Sequence, residues 1–196
     1  MPRIKDHEDK KNQILEALNQ CLQEKPFDQT SIKDIARAAD VNHGLLHYYF
    51  KNKEDILTQY IKYVIDHYKT LFNDWLTAIE AQNFNEKELI EEFFDFMNSR
   101  ITLNKKLSKV FIEIWEIAAY NSNIRSILQQ AYREWIDTLS EMLNTVTKDP
   151  AAARQVSAAT VAFLEGMALF SIILTPDTFD FNQVLTGFQK KIIESL

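Results

Sequence analysis

Three glycines and four prolines in 196 residues leave this chain very few places to turn sharply. Sheets and barrels reverse direction every few residues and rely on such residues to do so. An all-α chain is therefore expected, with long helices and few junctions. Hydrophobic residues make up 46% and charged residues 26%, enough to close a core and keep the surface wet. At this length the chain is one large domain, or a small unit joined to one of ordinary size.

Several classes of function drop out early. One cysteine, Cys21, forms no intrachain disulfide and no zinc or iron–sulfur cluster, and it falls on an apolar helical stripe as a buried thiol would. The di-iron helical bundle needs Glu-x-x-His pairs, and none occurs. Neither a phosphate-binding glycine loop nor a nucleophile elbow is present. No enzyme, cofactor or metal site is expected. The opening MPRIKDHEDKK lacks an apolar signal core, and no span reads as long enough to cross a bilayer, so a cytoplasmic location is expected.

Net charge is −6, which on its face argues against nucleic acid. Its distribution matters more. Residues 1–53 hold nine Lys/Arg against eight Asp/Glu, while residues 54–196 hold thirteen against twenty. His7, His43 and His47 also lie in the first stretch. A near-neutral head on an acidic body is compatible with DNA binding.

Hydrophobic spacing predicts a first helix from about Glu8 to Glu24, with Ile14, Leu15, Leu18, Cys21 and Leu22 on one stripe, ended by Lys25-Pro26. Ser31-Ile-Lys-Asp34 reads as a capping box opening a helix of barely two turns. After a break at Asp40-Val41, Asn42 caps a third short helix through Phe50. Asn52 caps a long fourth helix, periodic from Ile56 to Leu76, with Glu54 and Asp55 complementing its dipole. Further helices are expected over roughly Glu86–Leu103, Leu107–Tyr120, Ile124–Val146, Pro150–Thr175 and Phe181–Leu196. Val161 to Leu174 is apolar almost all round, and such a helix must be covered on every side.

Two short helices joined by a tight turn and braced by a preceding helix make a helix-turn-helix. Its second helix must keep one face free of core duty. Leu46, Tyr49 and Phe50 anchor that helix here, which turns His43, Gly44, His47 and Tyr48 outward. Gly44 lets a duplex approach the backbone closely. Thr30 and Ser31 put hydroxyls and free N–H groups where a phosphate can sit, and Lys53 is placed for another.

The stretch from Thr30 to Leu57 resembles the signature of the TetR family of regulators. That pattern has T/S before an I-A pair, then A-G-V-S-x-G-x-L-Y-x-H/Y-F and K-x-K-E-x-L. Ile35-Ala36, Ala39, Val41, Gly44, Leu46, Tyr49-Phe50, Lys51, Lys53-Glu54 and Leu57 match it. Asp40 stands for the usual turn glycine, Asn42 for the usual serine cap and His47 for the usual tyrosine. Asp and Asn tolerate turn conformations, whereas His47 occupies a DNA-facing position and bears on operator preference. The resemblance implies base contacts from Lys33, His43, Gly44, Leu45 and His47. It implies phosphate contacts from Thr30, Ser31, Tyr48, Tyr49 and Lys53. Glu165-Gly166 with its apolar flanks resembles the dimer-forming helix of the betaine-pathway repressor branch.

The expected organisation is a three-helix DNA-binding head over residues 1–53 and a six-helix ligand-binding and dimerisation body over 54–196. The helix-turn-helix occupies about 31–50 and is completed by the start of the connecting helix at 53–68. Trp75, Phe94, Trp115, Tyr120, Trp135, Phe163 and Phe170 are candidates to line a cavity for a small hydrophobic or aromatic effector, although aromatics at helical spacing also serve as plain core. Glu113, Glu116 and Glu165 are candidates to hold a cationic ligand. Val161, Leu164, Ala168, Ile172, Val184 and Phe188 are candidates for a homodimer interface built by the last two helices. The expected function is a repressor released from a palindromic operator by that effector. The rival is a helical adaptor or ligand-binding protein that leaves DNA alone.

Overall fold

The computed structural model describes residues 2–80, 82 and 84–195. The described residues contain helices and no strands. In order they are α1 (Pro2–Glu24), α2 (Ile32–Ala38), α3 (His43–Tyr49), α4 (Lys53–Glu80), α5 (Glu86–Met97), α6 (Lys105–Tyr120), α7 (Ser122–Thr147), α8 (Pro150–Ile173) and α9 (Phe181–Ser195). A π-helical turn, Asn98–Thr102, follows α5 where the sequence reads as one uninterrupted helix. α1 begins six residues earlier than expected, at Pro2, because proline suits a first helical turn whose N–H groups have no partner anyway.

Local chemistry fixes most helix starts. The Ser31 hydroxyl accepts from Asp34 N–H while the Asp34 carboxylate accepts from Ser31 N–H, a complete capping box. Asn42 accepts from Leu45 N–H at 2.8 Å, Asn52 from Asp55 N–H at 2.8 Å, and Asn85 from both Lys87 and Glu88 N–H. Asp149 caps α8, with Pro150 at its first position.

The chain divides into two compact units, and the division does not fall at residue 53. The first comprises Met1–Leu71 with Lys109–Arg125, the second Phe72–Ser108 with Ser126–Leu196. Ile56, Leu57, Tyr60, Ile61 and Val64 of α4, and Val110 and Ile114 of α6, are buried in the first unit together with Ile14, Leu18, Ile35 and Leu46. A three-helix head of 53 residues would close only a marginal core, and these two helices add buried surface to it. Tyr60 shows the fit. It is fully buried, its hydroxyl donates to Asn19 Oδ1 at 2.7 Å, and burial pushes its phenol well above the ordinary range.

The second unit is organised by aromatic rings. Phe72 lies 5.2 Å from both Trp75 and Trp135, and Trp75 stacks on Phe96 at 5.0 Å. Phe93 links this cluster to Phe94, which meets Phe188, and Phe188 stacks on Phe163 at 3.8 Å. The α7 and α8 helices are tied by an Arg154–Asp137 ion pair and by the Tyr132 hydroxyl, which donates to Glu165 Oε1 at 2.9 Å. Desolvation raises the Glu165 carboxyl to about 7, although the Tyr132 hydrogen bond pulls the other way.

α8 departs from expectation. Its 24 residues are long and apolar enough to cross a bilayer by length and composition, and only 28% of its most apolar window is buried inside the chain. Ala153, Ser157, Thr160, Leu164, Met167 and Ser171 form its buried stripe. Ala159, Ala162, Phe170 and Ile173 are exposed, and a Cβ added at Gly166 would meet nothing within 4 Å. The protein-facing stripe thus mixes Ser157, Thr160 and Ser171 with Leu164 and Met167, while apolar side chains are also left facing outward.

Candidate DNA-binding site

The head is assembled from short-range signals. Lys25 Nζ lies 2.8 Å from Asp34 Oδ2, so one carboxylate closes the α2 cap and ties α2 to the end of α1. Lys25, and then the Ser31 bonds, hold the Asp34 carboxyl far below the usual carboxylate range. The turn between α2 and α3 passes through Asp40 at φ 51°, the left-handed conformation that the glycine in the family pattern would adopt without strain. Ala39 N–H closes on Ile35 C=O and Val41 N–H on Ala36 C=O, while Gln13 of α1 donates to Ala39 C=O at 2.7 Å. The two short helices are fixed to each other and to α1.

α3 buries one side and bares the other. Leu46 is 1% exposed and Phe50, which follows the helix, is 2% exposed. His43, Gly44, His47 and Tyr48 are exposed, as the sequence predicts. The His43 and His47 rings meet edge-on at 4.8 Å, one turn apart on the same face. Lys33 is exposed on α2, and Leu45 is half-buried. A short helix with a polar, ring-bearing, unobstructed face can enter a major groove and offer donors and acceptors to base edges.

Four expected DNA-contact residues are otherwise engaged in this structure. Thr30 is 1% exposed, and its hydroxyl donates to Pro26 C=O at 3.0 Å. The Ser31 hydroxyl, though exposed, is committed to Asp34. Tyr49 is half-buried with its ring 4.6 Å from that of His7, which also lies 5.8 Å from Tyr48. Lys53 donates from its ammonium to Phe27 C=O and lies 4.1 Å from the centre of the Phe27 ring. Position in a motif marks these residues but does not reveal what their polar atoms already hold. Phe27 was not singled out, His7 was noted only for its place in the first stretch and Glu113 only as a candidate for a cationic ligand, because their partners lie on distant parts of the chain.

The candidate cavity residues do not converge. Tyr120 is 90% exposed and Phe170 45%, so neither lines an interior. Trp115 and Tyr120 belong to the first unit, whereas Trp75, Phe94, Trp135 and Phe163 belong to the second. Phe72, Phe93 and Phe96 complete the ring cluster and were not singled out. The Phe-Phe-x-Phe spacing of 93–96 was their signal. Glu113 bonds to a backbone N–H, Glu116 is exposed, and Glu165 is the acid bonded to Tyr132. Among the interface candidates, Leu164 is buried in its own chain and Phe188 is stacked on Phe163, because the α8 stripe carrying Leu164 faces inward. The outward stripe is Ala159, Ala162, Gly166, Phe170 and Ile173.

Residues 14–60 match the family described as bacterial regulatory proteins, tetR family, and residues 86–189 match that described as BetI-type transcriptional repressor, C-terminal. The chain belongs to the TetR family. It is a DNA-binding transcriptional regulator, of a family whose members act as dimers on operator DNA. It is 22% identical over 173 residues to the HTH-type transcriptional regulator BetI of Serratia proteamaculans, a match covering 88% of this chain and 86% of that protein. Its fold is shared with a TetR transcription regulator of Haloarcula marismortui (TM-score 0.78, 16% identity, 96% and 98% of the two chains). It is also shared with a transcriptional regulator of Saccharomonospora viridis solved in complex with choline (TM-score 0.77, 18% identity, 93% and 96%).

Proposed function

We propose that the protein is a homodimeric, cytoplasmic repressor that binds a palindromic operator through α3 and is released by a small effector held in the second unit. The observation that carries this reading is the exposed α3 face of His43, Gly44, His47 and Tyr48 beside buried Leu46. His43, Gly44, Leu45 and His47, with Lys33 from α2, read base edges. Tyr48 and the N–H groups around Ser31 meet phosphates. Thr30, Tyr49 and Lys53 brace the head from inside.

The second copy covers the outward stripe of α8. A helix this apolar with 28% of its most apolar window buried needs a cover, and in a family whose members act as dimers a second copy is the natural one. Val161, Ala168, Ile172 and Val184, all half-buried, flank that stripe or lie on α9 and complete the interface. Two α3 helices then reach successive major grooves, about 34–36 Å apart or somewhat more.

The effector is a hydrophobic or aromatic molecule received among the rings of Phe72, Trp75, Phe93, Phe96 and Trp135. Glu165, with Tyr132 three residues before Trp135, favours one that also carries positive charge, as choline does in the complex with the Saccharomonospora viridis regulator. Effector binding alters the separation of the heads through α4, and DNA must weaken effector binding by the same factor as effector weakens DNA binding. Selection from a randomised duplex library is expected to enrich a palindrome. A folded dimer that enriches no sequence overturns the proposal.

A further inference from the structure

We infer that Glu113 and Lys53 are positioning residues for operator binding, which hold the Phe27 backbone at its N–H and at its C=O and so fix where α2 begins. The inference rests on the DNA-binding reading of the head. Pro26 ends α1, and the connection from Pro26 to Thr30 has no helix of its own to hold it. Phe27 N–H donates to Glu113 Oε1 at 2.6 Å, across 86 residues of sequence. Phe27 C=O accepts from the Lys53 ammonium, which lies over the same residue's ring. Thr30 N–H also donates to Phe27 C=O at 3.1 Å, and the Thr30 hydroxyl and Gln29 N–H bond to Pro26 C=O. The two Thr30 bonds, to Pro26 C=O and to Phe27 C=O, therefore pass the position of the Phe27 backbone on to the residue before the Ser31 cap. α6 supplies the acid, α4 supplies the base, and the element they locate is the first helix of the helix-turn-helix.

The chemistry supports a structural duty for both groups. Partial burial lowers the Lys53 pKa, although the neighbouring acids Asp28, Glu54 and Glu113 oppose the shift. A lysine whose ammonium donates to a carbonyl and lies over a ring is held at Phe27, which is a structural duty whatever else its charge meets. A carboxylate accepting a backbone N–H makes one of the stronger kinds of hydrogen bond.

The test uses the full-length protein, the duplex enriched by the wild type, and the variants Glu113→Ala, Glu113→Gln and Lys53→Met. In Glu113→Ala the Phe27 amide is expected to exchange about tenfold faster or more, with operator affinity falling by a similar factor. Simple charge repulsion predicts the opposite sign, since removing an acid should tighten DNA binding. Glu113→Gln keeps an acceptor oxygen and is expected to restore both readouts most of the way. Lys53→Met should weaken binding while leaving the slope of log affinity against log salt unchanged. Loss of a phosphate contact would reduce that slope by about 0.9. Unchanged Phe27 exchange in Glu113→Ala, tighter binding by that variant, or the reduced slope in Lys53→Met overturns the clamp while the regulator reading stands. A wild type that selects no duplex removes the regulator reading and the positioning role with it, whatever the exchange data show.

Discussion

Gly44 is the residue where the molecule's own needs and its partner's needs separate. A Cβ there would meet nothing closer than Asn42 Oδ1 at 3.4 Å, an ordinary contact, and its backbone is helical. The fold does not require glycine there, and the proposed operator contact gives a reason for it. Gly44→Ala should keep or raise stability, by up to about 1 kcal/mol, in urea unfolding. The same variant should bind operator more weakly, and wild-type affinity would remove close approach as the explanation. Glu165 makes a second residue-scale prediction. Its folded pKa of about 7 lies above the ordinary 4.5, so the folded state holds a proton that the unfolded chain has released between those values. Its contribution is fully present below about pH 4.5 and is lost as pH rises through about 7. Glu165→Gln stays neutral throughout. Its stability advantage over the wild type should grow from almost nothing at pH 4 to as much as about 3 kcal/mol at pH 8. A gap that does not change with pH would contradict the assignment.

Elements that depend on neighbours in sequence were legible, and those that depend on distant ones were not. The capping residues Ser31, Asn42, Asn52 and Asp149 act within three residues of themselves, so pattern alone located four helix starts. Asp40 was legible as a turn residue for the same reason, and its φ of 51° follows. Asp40→Ala should therefore cost about 1 kcal/mol while Asp40→Gly stays near neutral, measured by chemical denaturation. Equal losses in both would mean that the aspartate side chain, not the backbone, matters there. Periodicity says which residues share a face but not what that face meets. That is why Leu164 was assigned outward although it packs inward, and why Lys53 was assigned to phosphate although it holds Phe27. It is also why Phe72, Phe93 and Phe96 were passed over in favour of exposed Tyr120.

For the whole molecule, the account requires a dimer and an operator. Ala162 is exposed on the outward stripe of α8, so Ala162→Arg should leave helix content intact and convert the dimer to monomer in sedimentation velocity. A monomeric wild type, or an Ala162→Arg variant that stays dimeric, would move the interface elsewhere. The chain buries Leu46 and Phe50 behind α3 and leaves His43 and His47 exposed on the other face, their rings meeting each other. The most direct measurement is the affinity of wild type and His43→Ala/His47→Ala protein for the duplex that the wild type selects, at fixed salt and with random duplex as competitor. Tight, sequence-specific binding by the wild type is expected. The variant is expected to lose specificity by about 1–3 kcal/mol per base contact removed, with its thermal unfolding unchanged. A variant that keeps both affinity and specificity would contradict the claim that this face of α3 reads the operator.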